Sequence, residues 1–213
     1  MQPNKNGNAS LFSALKNIDL SEFDSLAVGP GIGIDNNDWQ KSKDFLIDFG
    51  GLLILDADAL NRISESKLGA NFFLERKFKT WITPHSKEFG RLFPNIKSKT
   101  NVGLARDAAK KFNISILLKG ANSIVADNTK VWQLFGTDSQ TARAGLGDLL
   151  AGFVAGSSAI DLTLCRNIST DFFAKYVLLH SFAASKCQSG SNASAIGDEL
   201  TKLMRNIKMR QIS

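Results

Sequence analysis

The sequence predicts an α/β fold with a mostly parallel central sheet flanked by helices. Three observations carry that expectation. Short β-like apolar runs alternate with helix-like runs, each apolar run stops at polar or glycine chemistry, and the last third of the chain is helical in pattern. In such open sheets ligands bind outside the carboxyl ends of the strands, so four consecutive strand ends point to one site.

The first run, Leu26 to Val28, stops at Gly29-Pro30-Gly31-Ile32-Gly33, ahead of a helix expected to begin near Asp38. Ile34, counted from Gly29, or Asn36, counted from Gly31, stands where the GxGxxG spacing requires its third glycine, which disfavours a dinucleotide-binding fingerprint and leaves a tight glycine turn. The second run, Leu52 to Leu55, is followed by Asp56-Ala57-Asp58-Ala59-Leu60-Asn61. Acids at a strand end hold metal, orient substrate hydroxyls or cap the next helix; Asp58 reads as a cap, and Asp56, nearer the strand, as a candidate ligand.

Trp81 and Ile82 end at Thr83-Pro84-His85-Ser86-Lys87-Glu88, where His85 or Ser86 opens a helix that buries Phe89 and Leu92. Position alone supports a ligand contact and a solvated loop role for His85 equally. Ala105, Ala108, Ala109 and Phe112 recur at i, i+3, i+4 and i+7, the spacing of a core-facing helix. Ile114 to Leu118 then ends at Lys119-Gly120-Ala121-Asn122-Ser123, chemistry suited to a nucleotide's phosphates or ribose, with an ordinary hairpin corner as the alternative. Ile124, Trp132 and Phe135 fit a meander that turns at 126–129. Phe173, Tyr176, Val177, His180 and Ala184 form an apolar helical face, in which His180 reads as packing.

The clearest chemical feature is Ala142-Arg143-Ala144-Gly145-Leu146-Gly147-Asp148-Leu149-Leu150-Ala151-Gly152, a small-residue turn running into an apolar helix. The first amides of a helix lack intrahelical acceptors, and the dipole adds partial positive charge there, so the turn suits a phosphate. A carboxylate beside an anion cradle repels the ligand unless it has its own task. Asp148 therefore reads either as a general base for a substrate hydroxyl or as a helix cap.

Composition narrows the partners. With 43% hydrophobic and 22% charged residues in 213, the chain is an ordinary globular sequence, read as one domain, 1–213. The net charge of +6 favours anionic ligands without choosing among them. Lys202, Arg205, Lys208 and Arg210 read as a solvated helix end, and the aromatics lie in apolar runs rather than among basic residues, so nucleic acid is not expected. Cys165 and Cys187 have no metal or redox spacing, which points to a reducing compartment. The polar stretch Met1 to Ser10 lacks the apolar core of a signal peptide, and no apolar run reaches about 18 residues. A cytoplasmic protein without a membrane partner is the expectation.

Taken in order, VGPGIG, ILDADAL, TPHSKEFGRL, LLKGANSIVAD and AGLGDLLAG resemble the dehydratase domain of the NAD(P)H-hydrate repair enzymes, a ribokinase-like branch, over roughly 24–207. The resemblance implies an adenine nucleotide, ADP or ATP with Mg2+, that phosphorylates the hydroxyl of hydrated NADH or NADPH. Loss of phosphate then restores the dihydronicotinamide ring. It also implies that Lys119, Gly120, Ala121, Asn122, Ser123, Gly145, Leu146 and Gly147 contact the nucleotide, that Gly33, His85, Asp56 and Asn61 contact the hydrate, and that Asp148 deprotonates it. No residue is assigned as a metal ligand. A ribokinase-like kinase for a thiazole or pyrimidine alcohol shares the helix start, and a non-catalytic nucleotide-binding module is the alternative outside the enzymes.

Three departures stand out. Leu146 occupies a position where the family usually has Ser or Thr, Thr141 stands for a usual Met, and Gly136-Thr137 for Gly-Asn. The family's domain also begins with a further βαβ region that this chain lacks in the resemblance. The expectation is therefore reduced or absent activity without that region, and either a homo-oligomer or completion by an N-terminal segment or an epimerase domain.

Overall fold

The computed structural model describes residues 10–135, 145–165, 167–188 and 191–212, with side chains described as far as Asn206. Six strands form one sheet in the order of the chain: β1 (Ser25–Val28), β2 (Leu52–Leu55), β3 (Thr80–Ile82), β4 (Ser115–Leu118), β5 (Ser123–Ala126) and β6 (Val131–Leu134). The first four run parallel, with Leu55 beside Val28 and beside Ile82, and Ile82 beside Ile116. The β4–β5 and β5–β6 pairs are antiparallel.

Helices lie on both faces, which is why β2, β3 and β4 are apolar at consecutive positions rather than at every second one. On one face Leu53, Leu55, Ile82, Ile116 and Leu118 pack with Trp39, Leu60, Phe89 and Phe112. These come from α2 (Asn36–Asp48), α3 (Asp58–Glu65), α5 (Ser86–Leu92) and α6 (Asn101–Phe112). Ala105, Ala108 and Ala109 are fully buried there, as their spacing predicts. Short helices α1 (Leu11–Lys16) and α4 (Phe72–Glu75) complete this layer.

On the opposite face Leu52, Ile54, Trp81, Leu117 and Val125 meet Leu150, Val154, Phe173 and Val177 from α7 (Leu146–Cys165) and α8 (Thr170–Lys186). Trp81 stacks on Phe173 with ring centroids 4.6 Å apart. The first turn of α7 is also seated from behind: Leu146 and Leu149 pack against a cluster of Ala183, Ala184, Ile196 and Leu200 contributed by α8 and by α9 (Ala193–Ile212).

Helix starts follow capping chemistry, with two corrections to the sequence reading. The helix expected near Asp38 begins at Asn36, capped by the Asp35 carboxylate. Asp38 is buried and accepts hydrogen bonds from Ser10 Oγ (2.7 Å) and Leu11 N (2.9 Å), tying α1 onto α2. Asp58 does not cap α3 either; the cap position is Ala57, which has no side-chain acceptor. Phe135 lies beyond β6 and is exposed. His85 caps α5, and Thr100 caps α6.

The expectation that no segment has membrane-spanning character also needs correction. By length and composition α7 qualifies, with a mean hydropathy of 1.4 over an 18-residue window. A third of that window is buried, including Leu150, Ala151, Val154 and Ala155, where the helix packs on β1, β2 and α8.

Candidate active site

The carboxyl ends of β1 to β4 and the start of α7 converge, and the backbone there is set by glycines. Gly29, with φ of 146°, passes so close to β2 that a Cβ on it would fall 1.7 Å from the Asp56 carbonyl oxygen. No other residue fits there. Asp56 N donates to Val28 O at 3.1 Å, which fixes the acid at the seam between β1 and β2. The next residue, Ala57, holds φ of 47° and ψ of −119°, a strained conformation for a residue with a Cβ.

Asp56 is 2% exposed and pairs with the Lys119 ammonium at 2.7 Å. Since β3 lies between β2 and β4, this pair reaches across the end of β3. The β3 end is tied to β4 in turn: Lys119 N donates to Pro84 O at 2.9 Å, and His85 bridges Lys119 in parallel register. Gly147, in the first turn of α7, lies over the pair. A Cβ there would stand 3.5 Å from Asp56 Oδ2 and 3.8 Å from Lys119 Nζ, so the glycine keeps the gap between helix and ion pair unfilled.

Gly33 is held by its own protein on both sides. Its N–H donates to Asp58 Oδ2 at 2.9 Å, and its carbonyl accepts from the Arg62 guanidinium, as do those of Ile32 and Asp35. Its backbone polar groups are thus taken, which leaves its Cα face for a ligand. Arg62 is fully buried with Asp38 3.7 Å away, and burial holds its pKa below the ordinary guanidinium value.

The His85 Nδ1 accepts from the backbone N–H of Lys87 and of Glu88, so in this arrangement the proton sits on Nε2, 3.4 Å from Glu88 Oε1. Nearly half of its side chain is exposed toward solvent. Asn61 is engaged by Arg91, which donates to its Oδ1 at 2.6 Å. Gly120, Ala121 and Asn122 form an exposed turn, and the Ser123 hydroxyl donates to Gly120 O at 3.3 Å.

At the helix start Gly145 has φ of 80° and accepts from Leu149 N, while Leu146 is half-buried against α8 and α9. Asp148 is exposed and has no hydrogen-bond or ion-pair partner among the described residues. Ala142 to Ala144, Gly136-Thr137 and Thr141 lie outside the described residues. A cavity of about 970 Å³, lined by Phe23, Phe49, Phe78, Lys79 and Leu162 among others, is at the opposite end of the strands from this site.

The sequence profile of the NAD(P)H-hydrate dehydratase family matches residues 4–208. The chain belongs to that family. It is similar to the bifunctional NAD(P)H-hydrate repair enzyme of Gloeobacter violaceus, 38% identical over 159 residues that cover 72% of this chain and 28% of the relative. The enzyme of Methanopyrus kandleri is 29% identical over 200 residues, covering 90% and 38%. The chain thus spans between a quarter and two fifths of the length of these relatives. Among solved structures, the ADP/ATP-dependent NAD(P)H-hydrate dehydratase of Bacillus subtilis superposes with a TM-score of 0.71 at 22% identity, covering 92% of this chain and 71% of that one. The hydroxyethylthiazole kinase of Pyrococcus horikoshii reaches 0.64 at 16% identity, covering 95% and 77%. These likenesses establish the ribokinase-like architecture of the NAD(P)H-hydrate dehydratase fold.

Neither the role of Gly29 as the point of closest approach nor that of Arg62 as the clamp on the Gly33 loop is apparent from the sequence pattern. A signal existed for Arg62: it interrupts the apolar face of Leu60 and Ile63 with a cation, which a helix tolerates only where acceptors wait.

Proposed function

We propose that this chain dehydrates hydrated NADH and NADPH at the expense of ADP or ATP. The observation that carries the reading is the Asp56–Lys119 pair beneath Gly147, in a chain of this family: a cation, a glycine helix start and an exposed turn at 120–122 meet at one set of strand ends. Lys119 and the amides at the start of α7 suit the phosphates of the nucleotide, and the 120–122 turn its remainder. The described residues offer no cluster of three or more acidic, His or Cys groups for a metal. Mg2+ accordingly fits as an ion arriving with the phosphates, and it would supply charge neutralisation there.

Asp148 is assigned as general base. Its free, exposed carboxylate takes the proton from the hydrate's hydroxyl as that oxygen attacks phosphorus, while the helix amides hold charge on the transferring group. Departure of the phosphate with its C–O bond, and loss of the neighbouring ring proton, then restore the dihydronicotinamide. His85, through its exposed Nε2–H, and the Cα face of Gly33 bound the substrate on the β1 and β3 side. Asp56 and Asn61 are assigned to its hydroxyls, Asn61 once Arg91 releases it. Cys165 and Cys187 as free thiols suit a reducing, cytoplasmic setting. The bifunctional relatives make a second catalytic domain the expected neighbour, an epimerase by the resemblance.

The test is turnover of hydrated NADH by the purified chain with ADP or ATP and Mg2+, followed by recovery of dihydronicotinamide absorbance and by released phosphate. Nucleotide-dependent recovery with matching phosphate release is expected. A stable phosphoester instead would make the chain a kinase, and no nucleotide-dependent change would remove the reading.

A further inference from the structure

Thr83 is the residue at the carboxyl end of β3 whose chemistry the folded chain does not use. It is 1% exposed, and its hydroxyl has no hydrogen-bond partner among the described residues. Its N–H donates to Leu55 O at 3.1 Å, continuing the β2–β3 ladder past Ile82. The register that sets Leu55 beside Ile82 therefore sets Asp56 beside Thr83, on neighbouring strands about 4.8 Å apart. Ile54 and Trp81 lie on the sheet face covered by α7 and α8, so by alternation Asp56 and Thr83 lie on it as well. The Asp56–Lys119 pair, spanning from β2 to β4, passes over the strand that carries this hydroxyl.

A buried hydroxyl without a partner costs stability that valine, of the same shape, would not cost. A second state of the protein in which the hydroxyl is used would offset that cost. Lys119 is the part of the pair that can move, with 26% of its side chain exposed against 2% for Asp56. When a phosphate draws the ammonium away, Asp56 becomes a buried carboxylate without its cation, a costly state unless a donor replaces it. Thr83 has one proton to give and rotates about one bond to give it.

We infer that Thr83 is a positioning residue, whose hydroxyl takes over the Asp56 carboxylate when Lys119 turns to a nucleotide phosphate. The inference rests on the proposed function for its nucleotide, and its role is one of exchange: the ammonium hydrogen bond to Asp56 is given up as the hydroxyl hydrogen bond forms.

The test compares wild type, T83V and T83S by melting temperature without ligand, by calorimetric titration with ADP–Mg2+, and by turnover of hydrated NADH. T83V is expected to melt at or above wild type, to bind ADP about tenfold more weakly, and to lose kcat about tenfold with little change in the KM for the hydrate. T83S is expected to recover both binding and kcat, which a purely steric role for the γ-methyl would not allow. Unchanged ADP affinity in T83V overturns the inference, and so does weakened binding that T83S fails to recover. Should wild type bind ADP but show no turnover, the proposed function falls while the affinity comparison still decides Thr83. Absence of ADP and ATP binding to wild type overturns both.

Discussion

Lys119 Nζ lies 2.7 Å from Asp56 Oδ1, so residues 63 positions apart in the chain close over the end of the strand between them. Removing the cation leaves a buried carboxylate without a counter-charge. Lys119→Met is expected to destabilise the protein by about 2 kcal/mol, below the ~3–5 kcal/mol of a fully buried pair because part of the lysine side chain is exposed. The double variant Asp56→Asn with Lys119→Met should recover most of that loss, since no unpaired charge remains. Denaturant titration of the four proteins checks it, and additive losses would show that the pair is not coupled.

The Asp148 carboxylate makes no hydrogen bond or ion pair with other described residues, so its proposed role as general base can be tested without removing a contact of the fold. Asp148→Asn is expected to lower turnover by about 10²- to 10⁴-fold with melting temperature and nucleotide affinity close to wild type. Turnover unchanged in this variant would take Asp148 out of the mechanism.

Gly29 tests how the acid is placed. A methyl group there meets the Asp56 carbonyl at 1.7 Å and requires φ of 146°, so β1 and β2 must separate at the site. Gly29→Ala is expected to cost about 3 kcal/mol or more, while Gly31→Ala, which has φ of 74° but open space, should cost about 1 kcal/mol. Equal losses would mean that backbone conformation, not contact with Asp56, sets the requirement.

Much of this arrangement is legible in the sequence, and what is not has a common physical cause. Leu52–Leu55 is read to its ends because a strand buried on both faces is apolar throughout. His85 is read as a helix start because capping is local chemistry. Asp58 is misread for the complementary reason. A carboxylate at a helix start looks like a cap, and only the fold shows that its acceptor serves Gly33, 25 residues earlier. Arg62 and Thr83 escape notice likewise, since the clamp on Ile32, Gly33 and Asp35 and the register with Asp56 join separate βα units. α4, with four residues, is too short to show a helical period.

His180 carries the pH prediction. It is 5% exposed, with Nε2 unpartnered among the described residues, and burial pushes its pKa from 6.5 down to about 4, the nearby backbone of Leu146 working against the shift. The folded chain thus holds this imidazole neutral where the unfolded chain would protonate it. Between these two values the unfolded state binds more protons, so stability falls as pH drops from about 6.5 to about 4 and levels off below. The loss attributable to this group is at most about 3 kcal/mol, or roughly 6–10 °C in melting temperature for a chain of this size. His180→Gln cannot titrate and should flatten that part of the profile while leaving the carboxylate contribution at lower pH in place. Melting curves of wild type and variant across this range check the argument, and parallel profiles would show that His180 is not held neutral by the fold.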